Sequence, residues 1–166
     1  MRRPTRVRTT LRDWKVMMIV AFHRNRVLGY QILARNVNVD NNVYVEFLRD
    51  VVARAVLQYR IRRPCILHDN ARPHKHQYVK AFFRRHRWEE LKHPPYSPDL
   101  NPCDFDGIAR IKRPNKGRRF NDEAGLVAAY EAVIEEINQN ETATGIQHLL
   151  QRWEQVIQTG GEYIVE

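Results

Sequence analysis

Two apolar runs near the start of the chain constrain its fold more than any other feature. Residues 16–22 and 27–33 are each long enough for one buried strand, and only four polar residues, 23–26, separate them. Runs of this length around a short polar turn predict an antiparallel hairpin. The preceding residues, 1–15, hold five arginines and a lysine, and we expect an extended, weakly ordered basic arm there.

Helical patterns dominate after the hairpin. Asp40 is a candidate N-cap for an amphipathic helix, because apolar side chains recur at three- and four-residue spacing over residues 44–59. Short strands at 65–68 and 88–91 enclose another helix, and further helices are predicted at 103–113, 122–138 and 146–157. An antiparallel opening followed by alternating strands and helices predicts one α/β domain over residues 16–166. Its mixed sheet is flanked by helices, and its C-terminal part is helical.

Charge is divided unevenly along the chain. The net charge is +9, but residues 1–121 hold 27 Lys and Arg against 10 Asp and Glu, whereas residues 122–166 hold one against nine. This division predicts a body that faces a polyanion and an acidic helical tail that faces elsewhere. Basic residues that merely keep the surface soluble are the alternative. No apolar run approaches the roughly 20 residues that cross a bilayer, so no membrane partner is expected.

Two aspartates stand in unusual, turn-rich surroundings with 34 residues between them. Asp69 ends a short apolar run and opens the loop DNARPH, whereas Asp104 follows the proline-rich segment SPDLNPC at the start of a predicted helix. Carboxylates in such places can hold Mg²⁺ against a phosphate. From spacing alone, a cap on the next helix is the more common use of an aspartate such as Asp69. Asp99 and Asp106 are rivals of Asp104, but the first suits a turn and the second points to another helix face.

Histidines and basic residues surround these acids. The histidine spacing repeats no zinc-ligand pattern, and carboxylates suit a hard cation better, so we interpret His68 and His74 as residues that orient the loop or contact phosphate. The segment 110–119 carries six basic residues and no acid. We interpret these as candidate contacts to a nucleic-acid backbone, although a solvated loop has the same composition. They are Arg110, Lys112, Arg113, Lys116, Arg118 and Arg119.

Taken together, the motifs resemble a known family. The segments 68–74, 93–105, 116–120 and 145–153 closely resemble those of the catalytic domain of mariner-type transposases, a branch of the DDE/D superfamily. The likeness extends over residues 15–163. It implies an RNase H-like fold, a site of three carboxylates that binds two Mg²⁺ or Mn²⁺ ions, and cleavage and strand transfer of DNA. In this likeness Asp69 matches the second acid and Asp104 the third.

The resemblance carries further expectations. DNA is the expected partner, a homodimer is compatible with the family, no small-molecule substrate is expected, and the protein is expected in the nucleus. Members of the family usually carry helix-turn-helix units before the catalytic domain, and only a basic arm precedes it here. The sequence is therefore expected to be a truncated or decaying copy, or a fragment of a longer gene.

The position of the first acid is the main departure. Aligning residues 16–22 with the strand that carries it places His23 where the first aspartate belongs. A neutral imidazole cannot bridge two hard cations as a carboxylate does. Impaired cleavage and strand transfer are therefore expected. The alternatives are an active enzyme that tolerates His23 as a ligand, and a non-catalytic nucleic-acid-binding module retained from a transposase.

Overall fold

The first element is the expected hairpin. The computed structural model describes residues 15–164, so nearly all of the basic arm lies outside the described residues. Strand β1 (Met18–His23) pairs antiparallel with β2 (Arg26–Ile32), and the chain reverses at Arg24, whose φ is 55°. Apart from His23 at its end, β1 is apolar on both faces, as interior strands are.

The next segment is one long helical stretch. The Asp40 carboxylate accepts hydrogen bonds from the backbone N–H groups of Asn42 and Val43, each at 2.9 Å, so the predicted cap is confirmed. Helix α1 (Asn41–Phe47) continues through a π-helical turn (Leu48–Val52) into α2 (Ala53–Gln58).

A parallel strand pair follows. Strands β3 (Cys65–Leu67) and β4 (Glu89–Leu91) are joined by α3 (Arg72–Lys75) and α4 (Gln77–His86). A helical connection is what parallel neighbours require. It places the loop that begins at Asp69 at the C-terminal end of β3.

The rest of the chain is helical. Turns at Pro98–Leu100 and Cys103–Gly107 lead into α5 (Ile108–Lys112) and a 3-10 turn at Arg113–Asn115. Helix α6 (Glu123–Asn140), capped by Asp122, and α7 (Leu149–Gln158), which follows a 3-10 turn at Gly145–His148, complete it. Within residues 15–164, none of these helices combines the length and apolar character needed to cross a bilayer.

Two apolar clusters lie on either side of the hairpin. Ile19 and Ala21 of β1 pack on the cluster formed by the α1–α2 stretch and α4, whereas Val20 and Phe22 pack on the cluster formed by α5 and α6. The α/β fold class is confirmed. The strands, however, form two separate two-stranded sheets among the described residues, β1–β2 and β3–β4, rather than one continuous hydrogen-bonded sheet.

Candidate active site

Both sequence-predicted aspartates line one cavity. This space of about 630 Å³, which we call the central cavity, lies between β1 and β3. Its wall includes residues 18–22 of β1, residues 65–69 and residues 101–104. Asp69 and Asp104, far apart in sequence, are therefore brought together by the fold.

Asp69 is held by its own loop. Its Oδ1 accepts hydrogen bonds from the Ala71 backbone N–H at 3.0 Å and from Nδ1–H of His74 at 2.6 Å. Because a carboxylate has only acceptors, this contact places a proton on Nδ1 of His74. About half of the Asp69 side-chain surface remains exposed, so the carboxylate keeps room for a further ligand.

A second histidine ties this loop to the core. Nδ1 of His68 lies 2.9 Å from the Tyr44 hydroxyl, and its Nε2 lies 3.0 Å from a carboxylate oxygen of Glu90. Burial is the main cause that lowers the pKa of His68, so the ring is neutral, donates to Glu90 and accepts from Tyr44. Its ring stacks on that of His74, with centroids 4.9 Å apart. These contacts agree with the interpretation that both histidines orient the loop.

Asp104 is positioned by a buried amide. The Asn101 side chain donates from Nδ2 to Oδ2 of Asp104 at 2.8 Å, while its Oδ1 accepts from the Cys103 backbone N–H at 3.1 Å. Burial raises the pKa of Asp104, and the negative charge of Asp69 raises it further. The Asn101 hydrogen bond and the charges of His93 and Lys112 act in the opposite direction. The negative charge of Asp69 therefore opposes the ionisation of Asp104.

The thiol of Cys103 lies beside the two acids. Burial, with the charges of Asp104 and Asp69, raises the pKa of Cys103 to about 12. A thiol with this pKa is protonated at neutral pH and serves neither as a thiolate ligand nor as a nucleophile. The ionised donors at this end of the cavity are therefore carboxylates.

The rival aspartates have structural partners. Oδ2 of Asp99 accepts the backbone N–H of Ile164 at 3.1 Å, and Asp99 is buried. Asp106 forms an ion pair with Arg110 and accepts the backbone N–H of Gly145 at 2.9 Å. Neither is among the residues that line the central cavity. The preference for Asp104 agrees with this geometry.

His23 is not among the residues that line the central cavity. The cavity wall along β1 ends at Phe22, and the charges that lower the pKa of His23, after burial, belong to Arg24 and Arg26. Across residues 15–164, no three His, Cys, Asp or Glu side chains are placed to share a metal ion. The three-ligand group expected from the sequence is therefore not formed there.

The predicted basic residues divide into two groups. Arg110 is bound to Asp106, and Arg118 donates to Oδ1 of Asn115 at 2.8 Å, so both have partners within the fold. The other four side chains are exposed to solvent. These are Lys112, Arg113, Lys116 and Arg119.

Sequence reasoning missed the residues that hold the acids in place. Asn101, Tyr44 and Glu90 act on the site through hydrogen bonds to Asp104 or His68. The pair Asn101-Pro102 just before a helix was a usable local signal, because asparagine there commonly bonds to the backbone two residues on. Tyr44 and Glu90 gave no local signal, since they reach the site only through folding.

The sequence matches a known protein family. The sequence model of the DDE superfamily endonucleases matches residues 2–123. The chain belongs to this family. Two curated relatives are each 29% identical over 90% of the chain: the mariner Mos1 transposase of Drosophila mauritiana and the histone-lysine N-methyltransferase SETMAR of Homo sapiens. The chain spans 45% of the first relative and 22% of the second.

Solved structures agree with the assignment. The Mos1 catalytic domain superposes with a TM-score of 0.82 at 27% identity, over 90% of this chain and 76% of that one. A Mos1 paired-end complex with the left transposon end superposes with a TM-score of 0.83, over 99% of this chain and 48% of that one. Mos1 catalytic domains have been solved with Mg and with Mn. The fold is therefore that of the Mos1 catalytic domain, and divalent metal is the cofactor of the family.

The electrostatic coupling of the two acids is testable. Replacing Asp69→Asn removes a negative charge near Asp104, so the pKa of Asp104 should fall toward its ordinary value. A carbon-detected NMR titration of the Asp104 carboxyl measures it. Glu90→Gln, which removes a carboxylate bonded to His68 instead, is the matched control and should leave the value unchanged. An Asp104 pKa that does not move in Asp69→Asn would contradict the coupling.

Proposed function

We propose that this chain is the part of a mariner-type transposase catalytic domain that supplies two of the metal-binding carboxylates and a DNA-facing surface. The observation that carries the proposal is the convergence of Asp69 and Asp104 on the central cavity. Both belong to the motifs that resemble the family, and both lie in a chain that superposes on the Mos1 catalytic domain. Acting on chromosomal DNA would place the protein in the nucleus.

The donor set suits Mg²⁺ or Mn²⁺. Asp69 and Asp104 would supply carboxylate oxygens, which hard cations prefer, and the neighbouring thiol stays protonated. When bound, such ions activate a water or a 3′-hydroxyl and stabilise the departing oxygen of a phosphodiester. The chain's own contribution is to hold the two acids. His74 orients Asp69, and Asn101 orients Asp104.

The DNA surface would begin next to the site. Lys112 is near enough for its charge to lower the pKa of Asp104, and Arg113, Lys116 and Arg119 continue the exposed basic segment. Positive side chains beside a carboxylate site neutralise the phosphates on either side of the reacting bond. The paired-end complexes of Mos1 support this assignment, because they superpose on nearly the whole chain.

We further propose that residues 1–166 alone are impaired in cleavage. The described residues bring two carboxylates, but no third His, Cys, Asp or Glu ligand, to one place. Two acids hold a pair of dications more weakly than three, because less negative charge offsets the repulsion between the cations. A non-catalytic nucleic-acid-binding module is the alternative. The same incomplete ligand set favours it, together with the exposed basic segment.

Metal binding is the first test. Mn²⁺ titrated into the isotope-labelled chain should selectively broaden NMR signals around Asp69 and Asp104, since paramagnetic broadening falls steeply with distance. Asp69→Asn and Asp104→Asn should each weaken the effect. Asp50→Asn is the matched control, because that exposed carboxylate pairs with Arg49 outside the cavity, and it should leave the pattern intact. Because protons and Mn²⁺ compete for the same oxygens, the affinity should rise as pH increases through the raised pKa of Asp104.

Cleavage is the second test. Plasmid nicking by residues 1–166 in Mg²⁺ or Mn²⁺ should stay near background. His23→Asp should not raise it, because residue 23 lies at the turn beside Arg24 and Arg26. Metal-dependent nicking that appears with His23→Asp and disappears again with Asp104→Asn would show that residue 23 reaches the site after all.

DNA binding is the third test. Lys112→Ala and Lys116→Ala should each reduce the slope of log affinity against log salt by about 0.9 on duplex DNA, which is the contribution of one phosphate contact. Lys80→Ala removes an exposed positive charge from α4 and serves as the control for net charge. Equal losses in all three variants would mean that DNA responds to net charge rather than to this segment.

A further inference from the structure

The central cavity runs along the edges of two strands. It touches five consecutive residues of β1, from 18 to 22, and five consecutive residues from 65 to 69. Successive side chains of a strand point to opposite faces, so a cavity that touches five in a row follows the edge of the strand. Five residues correspond to a length of about 16 Å.

The hydrogen-bond register shows which backbone groups face this cavity. The Leu33 N–H donates to the carbonyl of Met17 at 2.9 Å, and Met18 stands opposite Ile32 in the antiparallel pair. Hydrogen-bonded positions alternate along such a pair. The N–H and C=O groups of Met18 and Val20 therefore point away from β2. Over residues 15–164, β1 pairs with β2 alone and β3 with β4 alone.

By its packing, β1 is an interior strand. Its alternate side chains contact apolar clusters on both faces, which is typical of strands with a neighbour on each side. Every residue of β1 is nevertheless only half-buried. The outer edge of β2 is different, because the Asn138 side chain of α6 bonds to both the N–H and the C=O of Val27. A side chain of α6 therefore satisfies part of the outer edge of β2, whereas the other edge of β1 has no strand partner among residues 15–164.

We propose that the central cavity accepts one further extended segment, which pairs with β1 and β3 at once and joins the two sheets into one of five strands. Buried backbone donors and acceptors need partners, and unpaired strand edges are templates for strand addition. The occupant is an almost continuously apolar strand of a transposase polypeptide, because both faces of the space are bounded by apolar clusters.

The source of this strand lies outside residues 1–166. The segment 1–15 is unsuitable, since its five arginines and one lysine would enter a cavity with apolar walls. The solved Mos1 catalytic domain, by contrast, contains residues without a counterpart here, because this chain covers 76% of it. We therefore assign the occupant to a segment of that kind.

Synthetic peptides provide the test. Overlapping peptides that span the unmatched part of the Mos1 catalytic domain are added to residues 1–166, with sequence-shuffled peptides of equal composition as controls. One peptide should bind, and it should slow hydrogen exchange at the amides of Met18 and Val20 and along β3. Two further versions of that peptide carry N-methyl groups on odd or on even residues. Because a central strand uses both of its edges, each version should bind at least tenfold more weakly.

The other outcomes overturn the proposal. Sensitivity to only one of the two methylation patterns would indicate addition to a single edge. Insensitivity to both, or equal binding of the shuffled peptide, would indicate unspecific apolar contact. Absence of binding by every peptide would show that the cavity is no strand site. Lys112→Ala, a change outside the cavity wall, should bind the peptide as the parent does, and the peptide is added without Mg²⁺ or Mn²⁺, so this result stands apart from the metal and DNA tests.

Discussion

Repulsion between the carboxylates of Asp69 and Asp104 is the constraint on which the site depends. The fold brings both to one cavity, and the charge of Asp69 makes Asp104 harder to ionise. Burial opposes ionisation of Asp104 most strongly, and a hydrogen bond from Asn101 offsets part of the combined cost of burial and the Asp69 charge, while His74 donates to Asp69. A divalent cation between the two oxygens would offset far more, because its charge attracts both acids. This electrostatic argument supports the cation site proposed above.

The placement of Asp69 depends on the apolar core as well as on its own loop. Tyr44 is buried within the core cluster, yet its hydroxyl meets His68, whose ring stacks on His74. His74 in turn donates to Asp69. The rings of Tyr44, His68 and His74 therefore connect the packing of the first long helical stretch to the carboxylate of Asp69. A change in the core at Tyr44 would reach the site without touching the acid itself.

Local signals explain what the sequence could predict. The hairpin, the Asp40 cap and the helix starts follow from spacing and turn chemistry within a few residues. The sequence favours Asp104 over Asp106 because residues two positions apart on a helix point to different faces. Contacts between residues that are far apart in the sequence cannot be predicted from such local signals. Glu90 for His68, Asp106 for Arg110 and the absence of His23 from the lining of the cavity all depend on which elements meet in space.

The open strand edges and the incomplete ligand set are found in the same cavity. Residues of β1 that pack on both apolar clusters stay half-buried along this space, and Asp69 and Asp104 lie on its wall with no third ligand among residues 15–164. An added strand would bring both backbone hydrogen-bonding groups and a row of side chains. In the cavity, this strand would hydrogen-bond to the edges of β1 and β3 and would also place new side chains beside the two acids. The proposed strand would therefore supply both the backbone partners and the side chains, whereas a change at His23 would supply only a ligand.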